Sequence, residues 1–256
     1  CMVPAGFSVL NKLTKGNLGE YKDQIRYIEF GSAPMPMDEK RNIMALLPKT
    51  KICMHYGLTE AAANVFIEFH ESSDKLHTLG RPSPNITISV VDDNGKVLSG
   101  QEPGNIVVNG DVLMQGYFDN KEKTKEVLKR YGLVTGDIGY IDEDGYVVLK
   151  GRKDDIINIG GKKVAPKEIE EVMIKHDGVQ ECVCVSADDP EGIRGKVIRA
   201  FMVASRDTEK SAIDDLVRFA RQHLESYNIP EVFTFLDAIP KTANGKIQRE
   251  KLRSMK

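Results

Sequence analysis

At 256 residues, with 41% apolar and 29% charged side chains, the chain can bury one large core or two ordinary ones and has the balance of a globular protein. A formal charge of −2, with 36 Lys and Arg spread along the chain, gives no reason to expect a nucleic-acid or acidic-membrane partner. No apolar run approaches a membrane span, and Cys1-Met2-Val3-Pro4 lacks the basic start and apolar core of a secretory leader, so the expected compartment is the cytoplasm.

The chain opens mid-pattern on Cys1, without an initiator Met, and is expected to be part of a longer polypeptide. Ile25–Phe30 alternates apolar and polar residues and predicts a strand. It runs into Gly31-Ser32-Ala33-Pro34, small residues that let a ligand approach the backbone. Pro36–Leu47 predicts a helix, with Pro36 in its first turn and Ile43, Met44 and Leu47 a turn apart, and Lys51–His55 a second short strand. In such α/β patterns ligands sit beyond the carboxyl ends of the strands. Tyr56-Gly57-Leu58-Thr59-Glu60 follows at that end. Its aromatic can stack on a base, its Gly permits a tight turn, its Thr hydroxyl can contact phosphate, and its carboxylate can hold a hard cation such as Mg²⁺. The plainer alternative is a Gly turn with Thr59-Glu60 opening a helix through Ala61-Ala62-Ala63.

Between Gly80 and Lys150 turn signals recur about every ten residues, as in a twisted sheet or small barrel. Asp93-Asn94-Gly95 separates Ile86–Val91 from Lys96–Leu98, and Asp142-Glu143-Asp144-Gly145 separates Gly139–Ile141 from Tyr146–Leu149. Asn105–Asn109 is a further strand and Lys121–Lys129 a short, solvated, charged helix. Within Thr135-Gly136-Asp137 an Asp after a Gly turn can accept from both hydroxyls of a ribose, although such turns are also common for purely structural reasons.

Gly151 to Glu170 packs charged residues, an apolar triplet, the pair Gly160-Gly161 and a Pro-initiated helix into a stretch too chemically specific for a plain linker; the plainer alternative is a strand, a turn and a helix within one domain. Beyond it Pro166–His176 predicts a helix striped by Ile169, Val172 and Met173 and stopped by Asp177-Gly178. Val179–Ser186 and Val197–Ala204 read as strands joined by the acidic turn Asp188-Asp189-Pro190-Glu191-Gly192. Ser211–Glu225 is an amphipathic helix, and Glu231–Leu236 a strand. Of the four cysteines, at 1, 53, 182 and 184, Cys182 and Cys184 share one strand face without zinc-site spacing and are expected to be buried reduced thiols. In Ile239–Arg249 an Asn244-Gly245 turn presents Lys246 from a mobile loop ahead of a terminal helix. A lysine so placed can offset charge on a phosphate or carboxylate, or be simply a solvated surface group.

Taken in order, Gly31-Ser32-Ala33-Pro34, Tyr56-Gly57-Leu58-Thr59-Glu60, Thr135-Gly136-Asp137, Gly151-Arg152-Lys153-Asp154-Asp155 and Pro240-Lys241-Thr242-Ala243-Asn244-Gly245-Lys246 resemble the adenylate-forming superfamily of acyl-CoA synthetases, peptide-synthetase adenylation domains and luciferases. The resemblance implies an α/β and α+β fold: an α/β remnant over 1–79, a distorted barrel over 80–151, and a small mobile domain over 152–256 with its hinge at 153–154. It implies ATP, Mg²⁺ and CoA as cofactor or co-substrates and a small carboxylic acid as substrate. Gly31, Ser32, Ala33 and Tyr56, with the turn at Gly57, would border adenine; Thr59 would touch the AMP phosphate; Glu60 would hold Mg²⁺. Asp137 and Arg152 would hold the ribose, and Lys246 would bridge carboxylate and phosphate during adenylation. Asp154 would be the hinge, after whose rotation Gly160, Gly161 and, on the same face, Lys163 line the path of the CoA thiol. Gly160–Glu170 is most similar to free-standing acyl-CoA ligases; an adenylation domain serving a carrier protein and a non-catalytic binding protein are the alternatives. Asn105 replaces a usual Glu, Val134 replaces a larger polar residue, and the Ser/Thr/Gly-rich loop that grips the ATP β- and γ-phosphates is absent, so this stretch alone is not expected to adenylate.

Overall fold

The computed structural model describes residues 1–189, 195–205, 213–243 and 245–255. Pro190, Glu191 and Gly192 of the expected acidic turn, Ser211 at the expected helix start, and Asn244 lie outside the described residues. The chain divides into two units, Cys1–Leu149 with Ala243–Lys246, and Lys150–Thr242 with Ile247–Lys256.

In the first unit helix α1 (Pro4–Leu13) starts on a proline, whose missing N–H costs nothing at that position, and turns Phe7 edge-on to Phe30 at 5.9 Å between ring centres. Strand β1 (Tyr27–Phe30) then puts Ile28 and Phe30 on its core face and Tyr27 and Glu29 on the other. Helix α2 (Met37–Leu46) buries Ile43 over that sheet, with Pro36 one position before the helix. Strand β2 (Lys51–Leu58) lies parallel to β1 and runs three residues beyond the predicted His55. The chain reverses at Thr59-Glu60 into β3 (Ala61–Glu68), antiparallel to β2, and β4 (Arg81–Pro82) completes the sheet. The helical alternative for Ala61-Ala62-Ala63 is therefore excluded. Val65 and Ile67 behind those alanines are buried, and ladder pairing with β2 overrides the helix preference of alanine.

The middle of the unit is a curled five-stranded sheet in the order β5 (Ile86–Val91), β6 (Gly104–Gly110), β8 (Gly132–Ile141), β7 (Leu128–Lys129), with β9 (Val147–Arg152) also paired to β8. The expected barrel is thus a half-barrel, filled by Val65, Ile88, Ile106, Val108, Leu133 and Val147. Lys96–Leu98 forms a single bridge, Val91 to Val97, rather than a strand, and the chain turns away at Gly100 with φ +69°. Helix α3 (Lys121–Val127) buries no side chain, as its charged sequence predicts.

The second unit opens with a 3-10 turn, Lys153–Asp155, and the hairpin β10 (Ile157–Ile159) and β11 (Lys162–Val164). Helix α4 (Pro166–Met173) leads to β12 (Val179–Asp188), antiparallel to β13 (Lys196–Ala204); α5 (Ile213–His223) leads to β14 (Val232–Phe235), parallel to β13. The short helix α6 (Arg249–Arg253) follows. Both faces of this sheet are covered, which explains the continuous apolar run through Val183-Cys184-Val185. Cys182, Cys184, Ala200 and Met202 meet Ile169, Met173, Leu216 and Ala220, while Val183, Val185, Phe201 and Val203 meet Ile239 and Leu252. Cys182 and Cys184 are buried free thiols with sulfurs 4.0 Å apart. Among the described residues no helix is long and apolar enough to cross a membrane.

Candidate active site

Three backbone irregularities position the candidate residues of the first unit. The first follows β1, where Gly31 is buried and Ser32 takes φ +70°, a left-handed conformation uncommon for a residue with a side chain. A Cβ on Gly31 would stand 2.2 Å from His55 Nε2, so any side chain there would have to displace the imidazole. Glu29 Oε1 lies 2.7 Å from His55 Nδ1 but off the line of a hydrogen bond, leaving a charge against the ring edge. Ala33 is half-buried beside this turn.

The second irregularity is a bulge in β3. Tyr56 pairs with Val65 and Leu58 with Ala61, so β3 holds two extra residues, and Ala63 is driven to φ +42°. The bulged backbone presses on Gly57, where a Cβ would meet Ala63 N at 2.4 Å. Gly57 was expected to form a tight turn; it lies instead inside a strand, and close approach of backbone is what excludes a side chain.

The third is a bulge in β8. Gly136 adopts φ +74°, and the pairing jumps from Val107–Val134 to Asn105–Ile138. Thr135 Oγ1 donates to Ile106 O at 2.9 Å and accepts from Asp137 N at 3.1 Å, fixing the turn of chain that carries the Asp137 carboxylate. Asp137 is buried and accepts from the hydroxyl of Tyr56. Two residues 81 positions apart are thus brought together by the two bulges. At the β2–β3 reversal Thr59 is exposed and Glu60 half-buried. Glu60 Oε1 accepts from Tyr117 at 2.6 Å, and that bond, with burial, raises the tyrosine pKa. Among the described residues no cluster of three His, Cys, Asp or Glu forms a ready metal cage. One accessible carboxylate is nevertheless the protein contribution that Mg²⁺ commonly takes when substrate phosphates and waters supply its remaining ligands.

In the second unit Arg152 ends β9 and is exposed, followed by exposed Asp154 in the 3-10 turn. Gly160 and Gly161 form the two-residue tip of the β10–β11 hairpin, with φ +56° and +86°, the left-handed pair that a tight hairpin demands. Asn158 Oδ1 accepts from Gly161 N at 3.0 Å, and nothing lies within 4 Å of a Cβ placed at either glycine. Lys163 is exposed and pairs with Asn158 across the hairpin.

The loop expected to carry Lys246 is closed at its base by a bridge between Lys241 and Ile247, by Gln248 N to Pro240 O at 2.9 Å, and by Gln248 Nε2 to Lys241 O at 3.0 Å. One foot is pinned further by Lys241 Nζ on Glu181 at 2.5 Å. Four residues here escaped sequence reasoning. Tyr117, the partner of Glu60, has no local signature. Asp155, Glu170 and Arg249 form a half-buried ionic cluster, although all three lie inside stretches that the sequence itself singles out.

A family model described as AMP-binding enzyme matches residues 1–118, and one described as AMP-binding enzyme C-terminal domain matches residues 168–246. A long-chain-fatty-acid–CoA ligase of Bacillus subtilis is 34% identical over 223 residues, covering 87% of this chain and 39% of the relative. An oxalate–CoA ligase of Saccharomyces cerevisiae is 36% identical, over 76% of this chain and 36% of the relative. The crystal structure of ATP-bound MatB from Rhodopseudomonas palustris superposes with TM-score 0.88 at 29% identity, over 98% of this chain and 49% of that one. The chain therefore spans 36–39% of the length of these curated relatives. Fold, motif order and relatives agree, and the chain belongs to the adenylate-forming superfamily of AMP-binding enzymes.

Proposed function

We propose that this chain works within an ATP-dependent carboxylate–CoA ligase, an enzyme that first makes an acyl-adenylate and then a thioester. The observation that carries the reading is the meeting of Tyr56 and Asp137 through two strand bulges, which presents an aromatic and a buried carboxylate beside the reversal holding Thr59 and Glu60. A carboxylate so fixed accepts from ribose hydroxyls without reorganising, and the tyrosine offers its ring to the base.

In the first half-reaction a carboxylate oxygen of the acid attacks the α-phosphorus of ATP, and the bond to pyrophosphate breaks. Gly31, Ser32, Ala33 and Tyr56 border adenine, and Gly57 lets the bulged backbone close behind it. Thr59 binds the phosphate, and Asp137 and Arg152 bind the ribose. Glu60 would hold Mg²⁺, which would supply positive charge against the phosphate. Lys246 offsets the charge gathering between carboxylate and phosphate. In the second half-reaction the CoA sulfur attacks the acyl carbonyl and AMP departs with the bonding electrons. Asp154 is the hinge about which the second unit turns between the two steps, and Gly160, Gly161 and Lys163 then line the thiol path.

The test uses the full-length enzyme with a panel of carboxylic acids. ATP–pyrophosphate exchange is expected with at least one acid, and thioester with free CoA. Lys246→Ala should slow exchange about 10²- to 10³-fold while sparing thioester formation from supplied acyl-adenylate. Exchange with no acid would overturn the reading; a product formed only on a phosphopantetheinyl carrier would replace CoA by a carrier protein.

A further inference from the structure

Asp155, Glu170, Arg249 and Arg253 form an ionic cluster to which the roles above assign nothing. Arg249 forks onto Glu170, Nη1 to Oε1 at 2.7 Å and Nη2 to Oε2 at 3.0 Å. The same Nη1 donates to Cys184 O at 2.7 Å, and Nε faces Asp155 Oδ2 at 3.2 Å. The other oxygen of Asp155 accepts from Arg253 at 2.7 Å, and Glu170 Oε1 also accepts from Cys184 N at 2.8 Å. The side chains of Arg249, Glu170 and Asp155 are only 17%, 13% and 19% exposed, so the charges are mutually dependent. Burial opposes the charge on Arg249, but the two carboxylates outweigh it and raise its pKa further.

The positions of these groups give the cluster its meaning. Asp155 is the residue after Asp154, Glu170 is on α4, Cys184 is in the middle of β12, and Arg249 begins α6 three residues after Lys246. One guanidinium therefore ties the outgoing foot of the lysine loop to the turn that follows the hinge and to the core of the unit. The incoming foot is held separately by Lys241 on Glu181.

We propose that Arg249 is a positioning residue for Lys246: it makes the hinge-proximal turn and the foot of the lysine loop one rigid piece, so that rotation at the hinge is transmitted to the lysine without slack. The proposal rests on the ligase reading above. A charged group that must meet a developing charge loses about 10²-fold in rate when displaced by roughly 1 Å, so stiffness at the foot of the loop is a catalytic requirement. Lysine cannot replace arginine here, because an ammonium cannot fork a carboxylate while also reaching a carbonyl and a second carboxylate.

The experiment compares full-length wild type, Lys246→Ala, Arg249→Lys, Asp155→Asn and the double variant Arg249→Lys/Lys246→Ala. It measures ATP–pyrophosphate exchange and, separately, thioester formation from supplied acyl-adenylate and CoA. Arg249→Lys is expected to lower kcat of exchange about 10- to 100-fold with KM for ATP changed by less than about twofold, and to lower thioester formation less than about threefold. Added to Lys246→Ala it should slow exchange no further, because it acts only through that lysine. Asp155→Asn should give the same pattern at smaller amplitude, and it carries the test should Arg249→Lys fail to fold. Equal loss of both half-reactions, additivity with Lys246→Ala, or undiminished exchange would overturn the proposal. Wild-type enzyme without exchange, or Lys246→Ala exchanging as fast as wild type, would instead overturn the ligase reading itself.

Discussion

The glycines of the candidate motifs divide by unit, and for opposite reasons. In the first unit Gly31 and Gly57 sit where a Cβ would strike a neighbour, at 2.2 Å and 2.4 Å, while neither has positive φ. In the second unit Gly160 and Gly161 have only open space around them and are glycine because of their dihedrals. Motif glycines are often explained by a ligand that needs room. Here the protein's own packing accounts for the first pair and hairpin geometry for the second, so any ligand role is an additional use of positions already constrained. The contrast also separates rigidity from access. Tyr56 and Asp137 are held by strands and bulges, whereas Gly160, Gly161 and Lys163 stand out on an exposed hairpin.

The contrast breaks first at Gly57. Gly57→Ala forces a methyl into the Ala63 backbone and should destabilise the first unit by about 2–3 kcal/mol, the usual cost of overpacking, read as a lower denaturation midpoint. An unchanged midpoint would mean that the β3 bulge yields. Asp137→Ala removes a charged acceptor and should weaken AMP binding by about 1.5–3 kcal/mol in a fluorescence titration, roughly 10- to 100-fold. Gly160→Ala should cost the second unit only about 1 kcal/mol, and Gly160→Asn less, because asparagine tolerates the left-handed region. Should both variants lose thioester formation far beyond that cost, the glycine serves the thiol path as well as the turn.

The smallest effect concerns a turn held by charge rather than by glycine. Burial pushes the Asp142 carboxyl up, but Lys75 at 2.9 Å and the amides of Tyr146 and Asp144 outweigh it and hold its pKa below the usual carboxylate value. The folded pKa being the lower one, its stabilisation is complete above the unfolded value of about 4 and disappears as pH falls through the folded value. Faster amide exchange at Tyr146, appearing only below about pH 4, is the expected sign.

Much of the fold was legible because alternation and turn chemistry are local. β1 follows its apolar alternation, β6, β12 and β13 are short apolar runs bounded by turn residues, and Asp142 and Gly145 mark a turn by themselves. Three things were not local. β3 begins with alanines that favour helix, and only pairing with β2 makes them a strand. The Lys96–Leu98 arm has strand composition but finds one bridging partner. The bulges that bring Tyr56 to Asp137 depend on register between strands, which composition does not encode. The ionic cluster failed to declare itself for the same reason. Arg249 and Asp155 look like ordinary surface charges until folding brings together groups 94 residues apart in the chain.

The buried pair Cys182 and Cys184 makes the second unit self-reporting. Its sheet is covered on both faces, so neither sulfur can meet an alkylating reagent until that sheet parts from its helices. The rate at which Cys184 is modified then measures how often the unit opens, thiol by thiol and without a spectroscopic label. Carried out with and without nucleotide, such a labelling clock would show whether filling the first unit changes the breathing of the second.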